Sequence, residues 1–246
     1  MTKLAFIGGT GLTQLSGFNI SRRETLKTPY GNPSAEFLIG EFNGHPVIFL
    51  ARHGNPHTLA PHKINYRANI WGLKQLGVED IVAVAAVGGI TEAMVPAHIA
   101  FPDQLIDYTY NRIQTFFEDE NYPVTHIDFT FPYSPSLRNA LIGAAAQAGI
   151  AISPQATYGC TQGPRLETIA EIARMERDGC DVVGMTGMPE AALARELGMN
   201  YASVSVIANW AAGKSAGEIT MAEIEQNLHL GMANTAQLLQ AFIAGQ

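Results

Sequence analysis

The chain has 246 residues, 47% hydrophobic and 15% charged, a balance that excludes a disordered or fibrous protein and leaves room for a sizeable core. Its net charge is −7 with no run of lysine or arginine, which argues against nucleic-acid and membrane-surface partners. An anionic substrate would need a local site working against the overall field. The two cysteines, Cys160 and Cys180, fit neither a disulfide framework nor a zinc pattern. The apolar run at the amino end is too short for a signal segment, and no stretch approaches the ~20 apolar residues of a membrane span, so a cytoplasmic location is expected.

Short apolar runs alternate with helical patterns. Residues 4–7 read as a strand broken by Gly8-Gly9, and 28–33 as a turn. Residues 35–39 and 47–51 read as strands joined by an Asn43-Gly44 hairpin turn. A helix is predicted over 65–76, stopped by Gly77. Residues 81–87 are fully apolar, which predicts a central strand covered on both faces. The segment 108–135, aromatic and polar, reads as a long functional loop. Helices follow over 135–148 and 166–177, with a short strand at 182–185 and a helix started by Pro189. Residues 201–208 form another apolar strand, and Thr220-x-x-Glu223 opens a last helix running to about Ala244. The β–α alternation and the absence of a linker predict one α/β domain spanning 1–246, with a parallel or mixed central sheet flanked by helices. In such sheets ligands sit beyond the carboxyl ends of the strands.

The polar motifs fall at those ends. Gly8-Gly9-Thr10-Gly11 follows the first strand, and its backbone N–H groups suit an oxyanion, although a plain strand-to-helix turn explains it as well. It is not a dinucleotide fingerprint, because the third glycine would fall at Gln14. Arg52-His53-Gly54 ends an apolar strand, and a guanidinium beside an imidazole suits a phosphate. His53, His57 and His62 lack the spacing and nearby carboxylates of a metal site, so no metal is expected. Leu166 and Glu167 follow a Gly-Pro turn, where a glutamate is also ordinary helix-dipole chemistry. Met185 and Thr186 lie in a sharp turn, and Asn209 closes the strand at 201–208.

Together GGTGL (8–12), LARHG (50–54), HKINYRANIWGLK (62–74), GPRLET (163–168), MTGMPEA (185–191) and YASVSVIAN (201–209) resemble the trimeric purine nucleoside phosphorylases, nearest their 5'-methylthioadenosine phosphorylase branch. The resemblance runs from residue 4 to about residue 245 and implies the nucleoside phosphorylase fold. It implies phosphorolysis: phosphate attacks C1' of a purine nucleoside and the purine leaves. Phosphate is then a co-substrate, and no cofactor is required. By resemblance Thr10, Arg52, His53, the amide of Ala86 and Thr186 hold phosphate, with Thr10, His53 and Asn209 as the catalytic set. Where the family often has threonine before that amide, this chain has Ala85. Met185 would lie under the ribose. His126 matches a histidine lent to a neighbouring subunit, which implies a homotrimer and leaves open whether trimers pair.

The base edge departs from the thioadenosine branch, which has Asp at the position of Asn209 and a second Asp at the position of Ala211. An amide NH2 donates to a 6-oxo group, but faces a 6-amino group donor to donor. Glu167 can accept N1–H of a 6-oxopurine and would repel N1 of adenine. At the 5' end no histidine is in register, since His229 lies too far along. Met221 and Ile224 would form an apolar wall suited to a thioether, or simply pack in the core. The expected substrate is therefore methylthioinosine. Methylthioadenosine, inosine or guanosine, and a silent nucleoside- or phosphate-binding protein are the alternatives.

Overall fold

The computed structural model describes residues 3–9, 12, 17–118 and 122–246. In chain order its elements are β1 (Leu4–Gly8), β2 (Phe18–Glu24), β3 (Phe37–Phe42), β4 (His45–Ala51), α1 (Tyr66–Gln75) and β5 (Asp80–Gly89). There follow β6 (Ile99–Ala100), β7 (Gln104–Asp107), α2 (Pro135–Gln147), β8 (Ile152–Ser153), β9 (Thr157–Cys160) and α3 (Ile169–Arg177). The chain closes with β10 (Val182–Gly184), α4 (Gly187–Glu196), β11 (Asn200–Trp210) and α5 (Met221–Ala244). The described strands form one mixed sheet of 11.

Its central strands read as unbroken apolar runs because both faces are covered. Side chains alternate with period two. Leu4, Phe6, Val82, Ala202 and Val204 pack with α2 and α5 through Leu141, Leu238 and Phe242. Ala5, Ile7, Ile81, Ala83 and Tyr201 pack on the other side with Ile70 and Leu73 of α1 and Leu193 of α4. The helix ends follow local chemistry. Asn65 caps α1 by accepting from Ala68 N, and Gly77 takes φ +84° just beyond it. Asn43 (φ 49°) and Gly44 (φ 83°) make the β3–β4 hairpin turn. The helix expected from residue 166 begins only at Ile169, because Thr168 and Glu171 form a reciprocal capping box. Leu166 and Glu167 are thereby left in the preceding loop. No helix among the described residues is long and apolar enough to cross a membrane.

The registers create a gap. β11 runs beside β5 along its whole length, from Asp80 to Gly89. On the opposite edge β1 pairs with β5 only over Asp80–Ala83. β10 arrives antiparallel and pairs with Gly88 and Gly89. The carboxyl ends of β1 and β10 thus approach head-on, and on that edge residues 84–87 of β5 have no strand partner among the described residues.

Candidate active site

Over that gap lies a cavity of about 410 Å³. It is lined by the stretch of β5 left unpaired on that edge, where Ala86 is exposed and Ala85 half-buried within a mostly buried strand. Gly9, Arg52 and His53 reach it from the ends of β1 and β4, Met185 and Thr186 from the end of β10, and Asn209 from β11. Leu166, Glu167, Ala211 and Ile224 also line it. Ten of the expected residues therefore surround one cavity: Arg52, His53, Ala86, Leu166, Glu167, Met185, Thr186, Asn209, Ala211 and Ile224. Thr10 lies outside the described residues.

Arg52 is 2% exposed. Its Nε and Nη2 donate side-on to Glu190 at 2.7 and 2.8 Å, and Nη1 donates to the Val84 carbonyl at 3.1 Å. Burial opposes its charge, but the Glu190 carboxylate outweighs this and holds the guanidinium pKa above its ordinary value. Glu190 is wholly buried and accepts a third bond from the Tyr201 hydroxyl at 2.8 Å. His53 donates Nδ1–H to the Leu59 carbonyl at 2.8 Å, which fixes the tautomer and leaves a lone pair on Nε2. Burial first, then Arg52 and His57, lower its pKa to about 4 against the pull of the Leu59 bond. Its ring stacks on His57 at 4.3 Å, interplanar angle 8°. Among the described residues no three His, Cys, Asp or Glu side chains cluster as a metal site.

Thr186 precedes α4 as its N-cap, yet its hydroxyl makes no capping bond. Met188 is extended (φ −117°, ψ 139°), so the continuous helix starts at Pro189 and carries Glu190 in its first turn. Asn209 owes its place to a β-bulge. Ile207 opposes Val87 and Asn209 opposes Gly88, so Ala208 is the extra residue and the pleat shifts by one. The Asn209 Nδ2 donates to the Trp210 carbonyl at 2.6 Å. A carbonyl cannot donate, so this contact sets the amide's orientation and leaves one N–H and Oδ1 for the cavity. Glu167 Oε1 accepts from the Thr161 hydroxyl at 2.6 Å, which anchors the carboxylate.

Part of the lining is apolar. Ile224, Leu228 and Met232, spaced by four on α5, form it together with Ile219 and Leu12. The expected wall changes here, because Met221 does not line the cavity and is 66% exposed. Helical side chains lean toward the amino end, so the first residue of α5 projects past the helix into solvent. Neither Met221 nor Ile224 is a buried core residue. His126 is exposed and does not line the cavity within one chain. Sequence reasoning missed Glu190, Tyr201, Leu228 and Met232. The only available signals were the glutamate within MTGMPEA and a continued i, i+4 apolar spacing after Ile224. It also missed Arg112, whose guanidinium donates to the carbonyls of Thr161, Gln162, Met185 and Met188 and so ties two lining segments together.

The family model for the phosphorylase superfamily matches residues 3–244. A protein of Pseudomonas syringae pv. tomato named "Probable S-methyl-5'-thioinosine phosphorylase" is 59% identical, over 98% of this chain and 100% of its own length. The 6-oxopurine nucleoside phosphorylase of Pyrococcus furiosus is 46% identical over 99% of this chain and 92% of its own. Among solved structures, a methylthioadenosine phosphorylase from an antarctic soil metagenomic library has a TM-score of 0.91 at 39% identity, covering 99% of this chain and 85% of that one. The methylthioadenosine phosphorylase of Schistosoma mansoni in complex with adenine has a TM-score of 0.93 at 28% identity, covering 99% and 91%.

Proposed function

The chain belongs to the phosphorylase superfamily, and from that premise we propose that it cleaves S-methyl-5'-thioinosine with phosphate, giving hypoxanthine and 5-methylthioribose 1-phosphate. The observation that carries this reading is the division of one cavity. Asn209 and Glu167, each held by its own hydrogen bond, bring polar groups to it, and Ile224, Leu228 and Met232 bring an apolar lining. A 6-oxopurine offers O6 and N1–H, which match an amide N–H and a carboxylate. A methylthio group matches an apolar wall, where a 5'-hydroxyl would want a partner. His229 is exposed and does not line the cavity, which weighs against inosine as the main substrate. The names of the Pseudomonas and Pyrococcus relatives support a 6-oxopurine edge.

The chemistry follows from the arrangement. Phosphate, the co-substrate, sits over the β5 gap, held by Arg52, His53, Thr186 and the amide of Ala86, with Thr10 as a further ligand. On the edge away from β11, residues 84–87 of β5 pair with no described strand, which leaves room for an anion to meet a backbone N–H there. Oxocarbenium character grows at C1' as the glycosidic bond breaks, and the oriented phosphate stabilises it and then bonds to it. Met185 packs under the ribose. The leaving purine gains negative charge, which the Asn209 amide and the Glu167 end meet through N7, O6 and N1–H. No metal or organic cofactor enters this scheme, and the active unit is a homotrimer in which His126 serves a neighbouring site.

The test is initial rates with phosphate on methylthioinosine, methylthioadenosine and inosine in parallel, for the wild type and Asn209→Asp. Wild-type preference for methylthioinosine is expected, with Asn209→Asp shifting preference toward the 6-amino substrate. Wild-type preference for methylthioadenosine, or selectivity unmoved by Asn209→Asp, removes the base-edge assignment. Preference for inosine removes the 5' assignment. No base release from any of the three leaves the silent binding protein.

A further inference from the structure

We propose that Glu190 is the positioning residue of the phosphate site, fixing which edge of the Arg52 guanidinium faces the cavity. The proposal rests on the phosphorolysis reading above. A guanidinium carries five N–H groups in a fixed plane. Three are taken within the protein: Nε–H and one Nη2–H by Glu190, and one Nη1–H by Val84 O. The two that remain are one on each Nη. No acceptor among the described residues takes them, and Arg52 lines the cavity. Two such N–H groups on one guanidinium suit the oxygens of a tetrahedral phosphate.

Glu190 is itself held fast. It is wholly buried, and the Tyr201 hydroxyl bonds its Oε1. Arg52 follows β4, Val84 lies on β5, Glu190 on α4 and Tyr201 on β11, so four elements converge on one guanidinium. The carboxylate also neutralises the arginine where it is buried, and burial keeps His53 uncharged, with its Nδ1–H taken by the Leu59 carbonyl. Phosphate is therefore drawn by aimed donors more than by net positive charge, and aim is what Glu190 supplies. Without the side-on clamp the guanidinium could turn another edge to the anion, and attack at C1' would lose its alignment.

Glu190→Asp keeps the charge but is one methylene too short to span Nε and Nη2. The measurement is the phosphate KM at saturating nucleoside, the nucleoside KM at saturating phosphate, and the same pair in an Arg52→Lys background. The phosphate KM should rise about tenfold in Glu190→Asp, the nucleoside KM should stay within about twofold, and Arg52→Lys should show no further rise when Glu190→Asp is added. An unmoved phosphate KM, equal losses in both KM values, or full additivity with Arg52→Lys overturns the proposal. If Glu190→Asp does not fold, Tyr201→Phe, which removes only the hydroxyl bond to Oε1, should raise the phosphate KM about threefold, and no change there overturns it. Base release that does not depend on phosphate in the wild type sinks the phosphorolysis reading, and this assignment with it. Phosphate-dependent wild-type activity with unmoved variants sinks this assignment alone.

Discussion

His53 gives Nδ1–H to a backbone carbonyl, and burial does the rest. Its pKa of about 4 against an ordinary 6.5 means that the folded state favours the neutral ring. Between those values the unfolded chain binds a proton that the native chain does not, so stability rises with pH there. The His53 contribution is thus fully present above pH 6.5 and is lost as pH falls toward 4. Urea unfolding at pH 7 and pH 5 should show the wild type losing stability relative to His53→Gln over that interval. Equal losses in both proteins would mean an imidazole that titrates normally. Arg52 and His53 were legible in the sequence because charged side chains at the exit of an apolar strand have few ordinary explanations. Glu190 was not, because an acid in the first turn of a helix is common and only the fold brings it under Arg52. Asn209 was legible as a strand-end amide, but the bulge at Ala208 that aims it was not, since Ala-Asn carries no bulge signature.

At the scale of the element, α5 does two jobs along one helix. Its carboxyl half supplies Leu238, Leu239, Phe242 and Ile243 to the core, and its amino half presents Ile224, Leu228 and Met232 to the cavity. A polar side chain in that stripe should weaken a thioether more than a hydroxyl. Leu228→Gln is expected to lower the methylthioinosine-to-inosine ratio of kcat/KM by about tenfold, the scale of a small apolar group in a pocket. A ratio that does not move would place the 5' group elsewhere. The apolar strands β1, β4, β5 and β11 and the capped helices were readable from period and punctuation. The strands β2, β6, β7, β8 and β9 escaped notice because they are short or carry charge. β2 reads FNISRRE and sits at the sheet edge, where pairing with β3 rather than apolar pattern makes it a strand. The α3 start was misplaced by three residues because a Gly-Pro-Arg-Leu turn hides a capping box immediately behind it.

At the scale of the whole molecule, residues 108–134 form no helix or strand among those described, yet they carry Tyr110, Ile113, Tyr122, Val124 and Phe131 exposed. So many large apolar groups on one loop suit a contact with another chain. Leu166, Ile169 and Met221 are also exposed, and Leu166 lines the cavity. Arg112, near the start of the same loop, is bonded to carbonyls of the lining segments, so the loop's position and the cavity's shape are mechanically joined. In the proposed homotrimer, whatever covers the loop also steadies the site. Light scattering should then give about 80 kDa, three times the 26.5 kDa chain. A sharper test uses the claim that His126 serves a neighbour. Arg52→Ala damages a subunit's own site, and His126→Ala damages the next one. Each variant alone should be impaired at low nucleoside concentration. In trimers refolded from an equal mixture, about a quarter of the sites should have an intact Arg52 facing an intact neighbouring His126. Activity above the average of the two parents is expected after mixing. Activity equal to the average of the parents would mean that His126 acts within its own chain or not at all, and a mass of one or two chains would remove the trimer itself.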